Sequence, residues 1–254
     1  MHILKALEKQ DQEFVRGSGA MGPLDDHLYM HHMPYSYTAE QIRKLRTFIY
    51  HMPDRPVPKV IMITSALPGE GKSVISSNLA IAIAKGEDQQ VLLVDCDLRK
   101  PSLHELFKYP HSMGVSEILQ GKADVSECLI STSIDKLTVL PAAKEPPSNP
   151  SELLESRKTS ALIKSLASRE GNWFIIIDSS PIQATVDPKI LSDVVDGIVM
   201  VVRYRYTREA EFKMALEALP KEKIIGTVLN AVDELPVKKY TYNKYKYYKN
   251  YYNR

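Results

Sequence analysis

The stretch that most limits what this chain can fold into is Ser65-Ala66-Leu67-Pro68-Gly69-Glu70-Gly71-Lys72-Ser73. An apolar, β-branched run, Val60-Ile61-Met62-Ile63-Thr64, leads into it, and a helical pattern from Val74 to Lys85 leaves it. Strand, glycine-rich turn and helix in that order is the setting of a phosphate-binding loop. Gly69 and Gly71 let successive backbone N–H groups converge on phosphate oxygens, and the helix N-terminus adds partial positive charge. Lys72 is placed to reach β- and γ-phosphates, and the Ser73 hydroxyl to ligate Mg²⁺. The candidate nucleotide-binding set is therefore Pro68, Gly69, Glu70, Gly71, Lys72, Ser73 and Val74. One departure is visible: the first glycine of G-x-x-x-x-G-K-[ST] is Ala66 here, a residue still small enough to fit.

A chance match in an ordinary loop is the competing reading, and the strands that follow decide against it. Val91-Leu92-Leu93-Val94 is a short, wholly apolar run of the kind a strand buried on both faces requires. It ends in Asp95-Cys96-Asp97-Leu98-Arg99. Carboxylates beyond a buried strand lie near its carboxyl end, where open α/β sheets bind ligands, although two aspartates capping the next helix would read the same way. Trp173-Phe174-Ile175-Ile176-Ile177-Asp178 again closes an apolar strand on an acid, the form of a Walker B site. Ser73, Asp95 and Asp178 are the candidate metal ligands. Two later strands, Ile198–Val202 and Ile224–Leu229, flank a helix over Arg208–Leu219, and a modest strand is expected over Leu137–Leu140. Arg203 and Asn230 stand at the ends of the two later strands, placed either for the nucleotide base or for local turns. Strands alternating with helices predict a three-layer α/β fold with a mostly parallel central sheet.

Elsewhere the pattern is less regular. Residues 1–36 pass through Gly17-Ser18-Gly19 and Gly22-Pro23 and read as a mobile or surface-laid arm. Thr38 is the expected N-cap of a helix over about 38–51. Glu40, Arg43 and Arg46 fall along one side of that helix, which by charge pattern alone reads as a solvated face with one intrahelical ion pair. Ser151 is expected to cap a helix carrying Leu153, Leu154, Leu162 and Leu166. The P-loop domain then spans 37–236 and a tail 237–254. Cys96 and Cys128 match no zinc spacing and no disulfide framework, which fits a reducing compartment. No apolar run approaches the length of a membrane span. The net charge of +2 conceals an asymmetry: six cationic residues and no acidic one follow Glu234, so the preceding residues sum to −4. Tyr240, Tyr242, Tyr245, Tyr247, Tyr248, Tyr251 and Tyr252 are half of the chain's 14 tyrosines. Interleaved with lysine and asparagine, they describe a solvated segment, or a stacking platform for nucleic acid.

Taken together these motifs resemble the bacterial tyrosine kinases, P-loop enzymes unrelated to the eukaryotic protein kinases. Ala66-x4-Gly71-Lys72-Ser73, Asp95-x-Asp97-x-Arg99 and Asp178-x-x-Pro181 are similar to the family's three nucleotide motifs, and its first motif admits alanine at the first position. Glu40-x-x-Arg43-x-x-Arg46 resembles its oligomerisation motif, which displaces the solvated-face reading, and the tail resembles its tyrosine cluster. The neighbouring MinD/ParA-type switch ATPases share the fold but carry a second lysine where this chain has Leu67. The resemblance implies an ATP- and Mg²⁺-dependent protein-tyrosine autokinase. Lys72, Asp95, Asp97 and Arg99 are then catalytic, with Asp97 as proton acceptor and Arg99 steadying the loop. It also implies a ring-forming homo-oligomer that presents each tail to a neighbouring subunit, with no nucleic-acid partner. A membrane-anchored, polysaccharide co-polymerase-type activator is expected to hold the cytoplasmic kinase at the inner face of the membrane. The expected setting is capsule or exopolysaccharide synthesis and export.

Overall fold

The computed structural model describes residues 22–53, 55–168 and 171–232. The seven tail tyrosines and the first part of the N-terminal arm lie outside the described residues. Seven strands form one sheet: β1 (Val60–Ser65), β2 (Gln90–Asp95), β3 (Ile130–Ser131), β4 (Leu137–Leu140), β5 (Trp173–Asp178), β6 (Gly197–Arg203) and β7 (Ile224–Asn230). Their order across the sheet is β3-β4-β2-β5-β1-β6-β7, and every pairing is parallel except β3 with β4. The α/β, mostly parallel expectation holds. β3 is a two-residue antiparallel edge, too short to leave a periodic signal.

Ten α-helices lie among the described residues: α1 (Tyr29–His32), α2 (Tyr37–Tyr50), α3 (Lys72–Ala84), α4 (Leu103–Phe107), α5 (Val115–Gln120), α6 (Val125–Cys128), α7 (Pro150–Glu155), α8 (Arg157–Ala167), α9 (Asp187–Ser192) and α10 (Glu209–Glu217). Because strand side chains alternate, the sheet feeds two cores. Ile61, Ile63, Val91, Leu93, Ile176 and Val199 pack under α2 and α3. Val60, Met62, Leu92, Val94, Ile175, Ile177 and Met200 pack beneath Leu154, Leu162, Leu166 and Leu191. Helix α3 is buried on nearly every side from Ile75 to Ala84, since the sheet covers one face and α1 and α2 cover the other. A helix apolar all round needs such a sandwich.

Three local readings are corrected by tertiary contacts. Residues 22–36 of the arm are docked rather than surface-laid: Leu28 and Met30 are fully or almost fully buried. Asn78 on α3 ties them down, accepting from Met30 N at 2.9 Å and donating to His27 O at 2.8 Å. The cap of α2 is Ser36, whose hydroxyl accepts from Ala39 N at 3.1 Å, two residues ahead of Thr38. The single helix expected after Ser151 is two. Extended backbone at Ser156 (φ −62°, ψ 148°) separates α7 from α8. Asn149 holds the N-cap position of α7 with Pro150 at the first helical position, so the Ser151 hydroxyl is free for the contact described below.

Candidate active site

Parallel register assembles the site. β2 and β5 are neighbours with Asp95 opposite Asp178, and β5 also pairs with β1, whose end runs into the phosphate loop. Three strand ends therefore open onto one crevice. In the loop, Pro68 and Gly69 form an exposed apex while Ala66 and Glu70 are buried. Gly71 precedes α3 with φ +88°, a conformation that favours glycine, and a Cβ there would displace the Asn230 side-chain amide. No side chain caps α3, which leaves the amides of its first turn as free donors around an anion-sized cradle. Val74 turns its side chain into the core beneath the sheet and contributes only backbone to that turn.

Lys72 and the carboxylates form one charge cluster. Lys72 Nζ lies 2.9 Å from Asp97 Oδ2. The Ser73 hydroxyl donates to Asp178 Oδ2 at 2.5 Å and accepts from Ser102 Oγ at 2.8 Å. Asp95 accepts from Asp97 N at 3.1 Å and from Leu103 N at 3.3 Å, and Asp97 Oδ1 accepts from Lys100 N at 3.1 Å. Ser102 carries no motif signature; its position at the start of α4 brings it to Ser73. Burial alone would lower the Lys72 pKa, but Asp178, Asp97 and Asp95 outweigh it and hold the ammonium above its ordinary value. Burial, then Asp178 and Asp97, push Asp95 well above the usual carboxylate range. Burial also raises Asp178 against the opposing pull of Lys72 and Ser73. The Cys96 thiol between them is pushed well up by burial and is no nucleophile.

This imbalance predicts a measurable pH signature. A carboxyl whose folded pKa is raised contributes stability that is complete below its unfolded value and lost as pH rises through the folded one. Asp95→Asn removes that loss. The nucleotide-free variant is expected to gain stability over wild type as pH rises from the ordinary carboxylate range through the raised Asp95 value. Thermal melts of both proteins across that range check it; parallel curves would contradict it.

The same asymmetry is the test of whether a divalent cation fits. Asp178 Oδ1 is buried without a hydrogen-bond partner among the described residues, and one ammonium faces three carboxylates. Hard oxygen donors with unspent charge suit Mg²⁺, which keeps several ligands from water and phosphate. No cluster of three or more His, Cys, Asp or Glu side chains able to hold a metal occurs among the described residues.

Arg99 leaves the crevice. Its guanidinium lies 3.4 Å from the fully buried Asp187 carboxylate and donates to Ser151 Oγ at 2.8 Å; Ser151 in turn donates to Asp187 at 2.6 Å. The loop after β2 is thereby tied to the starts of α7 and α9. Arg203 and Asn230 contact the phosphate loop itself, donating to Gly69 O at 3.1 Å and Glu70 O at 2.9 Å. Sequence reasoning missed Ser102, Ser151, Asp187 and Thr207, polar residues whose partners are distant in the chain. Glu40 and Arg43 pair within α2 at 2.9 Å, Arg43 also donates to Pro34 O, and Arg46 donates to Ala82 O of α3 at 2.7 Å.

Comparison with known proteins agrees with this geometry. A family model described as an AAA domain matches residues 58–211. The tyrosine-protein kinase YwqD of Bacillus subtilis is 37% identical over 200 residues, covering 78% of this chain and 82% of that protein. The tyrosine-protein kinase wzc of Salmonella typhimurium is 33% identical over 84% of this chain, which spans 30% of that longer protein. The crystal structure of the chimerical protein CapA2B2 superposes with a TM-score of 0.75 at 34% identity, covering 88% of this chain and 97% of that one. MinD of Pyrococcus horikoshii, at 20% identity and a TM-score of 0.56 over 73% of this chain and 76% of its own, shares the fold. An AAA-type P-loop, three carboxylates at and just beyond two strand ends around one lysine and these relatives lead to one conclusion: the chain belongs to the bacterial protein-tyrosine kinases.

Proposed function

We propose that this kinase binds ATP with Mg²⁺ in the crevice and transfers the γ-phosphoryl group to tyrosines of its own tail, presented by a neighbouring subunit. The observation that carries the reading is the Lys72–Asp97 pair, buried at 2.9 Å in the mouth formed by the strand ends. Phosphoryl transfer asks the protein mainly for positioning and charge neutralisation. The loop amides and Lys72 hold phosphate oxygens; an ammonium has three donors, so Lys72 can keep Asp97 while gaining phosphate. Ser73, Asp95 and Asp178 would hold the cation, whose contribution is to neutralise charge on the transferred group. Asp97 receives the phenolic proton as the new bond to phosphorus forms, which does not require a tyrosinate beforehand. Arg99 keeps the Asp97 loop in place through Asp187 and Ser151.

Each phosphate adds about −1.5 to −2 charge at neutral pH, so roughly four would cancel the tail's cationic excess. Repulsion then releases the tail and loosens a ring built through Glu40, Arg43 and Arg46. On the family resemblance, we extend the proposal to a membrane-anchored co-polymerase-type activator, an inner-face location and a role in capsule or exopolysaccharide export. No helix among the described residues is long and apolar enough to cross a membrane.

The test mixes two inactive-in-part chains: a version ending at Leu235, which keeps the crevice, and full-length Lys72→Met, which keeps the tail. With Mg²⁺-ATP and the activator's cytoplasmic segment, phosphotyrosine is expected on the Lys72→Met chain alone, and light scattering should show mass falling as it accumulates. Phosphotyrosine on the truncated chain would remove the tail as the substrate. An unchanged mass would remove the link to assembly.

A further inference from the structure

Glu70 lies inside the phosphate loop yet does not face it. Its side chain is 1% exposed, a costly place for a carboxylate unless its oxygens are filled. They are. Oε2 accepts from Leu67 N at 2.6 Å; Oε1 accepts from the Thr207 hydroxyl and from Arg203 N at 3.3 Å. The first bond closes the loop apex on itself across three residues. The other two fasten it to the last residue of β6 and to the turn that follows.

The backbone on either side is held as well. The Arg203 guanidinium takes the Gly69 carbonyl and the Asn230 amide takes the Glu70 carbonyl. In a planar trans peptide the carbonyl and the next N–H point in opposite directions. Fixing those two carbonyls outward therefore turns the N–H groups of Glu70 and Gly71 to the loop's concave side. Donors converging on one cradle repel one another, so some restraint has to hold them. Restraint supplied in advance raises affinity because ordering is not left to the binding step.

We propose that Glu70 is a positioning residue: with Thr207, Arg203 and Asn230 it latches the phosphate loop to the ends of β6 and β7 and holds its amides ready before nucleotide arrives. Arg203 and Asn230 then act on the loop backbone rather than on the base. The latch needs the Thr207 hydroxyl as donor, so serine at 207 preserves it and valine breaks it. The inference rests on nucleotide occupying this loop, and the two are tested separately.

The experiment compares the full chain with Glu70→Gln, Thr207→Val, Thr207→Ser and the double variant Glu70→Gln/Thr207→Val. Amide hydrogen exchange without nucleotide is expected to quicken over residues 67–74 in Glu70→Gln and Thr207→Val, with α8 unchanged and Thr207→Ser like wild type. Titration calorimetry with Mg²⁺-ADP is expected to show affinity about tenfold weaker in each broken variant, the loss typical of a hydrogen bond to a charged group. The double variant should fall little further, since both changes open one latch. Unchanged loop exchange, exchange that quickens equally in α8, or additive losses would each overturn the latch. Absence of ADP binding by the wild type would instead count against the nucleotide reading, and the exchange measured without nucleotide would still decide the latch.

Discussion

Replacing Lys72 with methionine is expected to lower tyrosine phosphorylation by on the order of a hundred- to a thousandfold, the loss typical when one preorganised charge donor is removed from a transition state. Methionine keeps the length of the side chain and deletes only the ammonium. What remains is Asp95, Asp97 and Asp178 gathered in a buried crevice with their shared cation gone. Removing one member of a buried ionic set costs about 3–5 kcal/mol when the rest stay charged. They need not stay charged. Lys72 is the group that pulls Asp95 and Asp178 downward, so its loss raises both further. Stability lost at neutral pH is then recovered as pH falls through those raised values. A variant that phosphorylates within about twofold of wild type, against the scale of such effects, would remove Lys72 from the mechanism.

Asp97→Asn is expected to separate chemistry from binding. The amide oxygen can still accept from Lys72 or Lys100, so Mg²⁺-ADP affinity should stay within a few-fold of wild type. What asparagine cannot do is take the phenolic proton. Turnover should therefore fall by about a hundred- to ten-thousandfold, the usual contribution of a positioned base. Calorimetry and a phosphotyrosine time course on the same preparation distinguish the two. Equal losses in affinity and turnover would make Asp97 a binding residue held by Lys72, and unaltered turnover would leave the proton without an acceptor in this crevice.

The two variants also differ in what the fold must absorb. Lys72 sits at the first residue of α3, a helix packed against the sheet on one side and the docked arm on the other. Its loss is felt through the charge cluster rather than through packing. Asp97 is on the loop that Arg99 ties to Asp187, and that tie is untouched by the change.

Much of this site was legible in the chain. The phosphate loop, Asp95 and Asp178 each close an apolar run, with Asp97 two residues beyond the second, and a buried parallel strand has few other ways to read. The strands β1, β2, β5 and β6 lie within a residue or two of their predicted spans for the same reason: nearly continuous apolar runs bounded by polar residues fix both type and extent; β7, interrupted by Gly226 and Thr227, matches its span without such a run. Residues whose meaning depends on a distant partner were not legible. Ser151 looked like a cap and is a ligand of Arg99 and Asp187; Glu70 groups by motif with the nucleotide-binding residues, but its side chain is buried and bonded to Leu67, Thr207 and Arg203. The docked arm escaped notice because Leu24, Leu28 and Met30 show no long periodic run, and the Asn78 contacts that hold the arm lie about fifty residues away.

By itself, then, the sequence determined the chemistry at each strand end, because local patterning sets where a buried strand stops and which side chain stands there. The tertiary structure decided how those ends face one another: only the β2–β5–β1 register puts Asp95 opposite Asp178 beside Lys72. It decided equally which polar residues brace the loop, since a hydrogen bond between elements more than a hundred residues apart leaves no trace in either one alone.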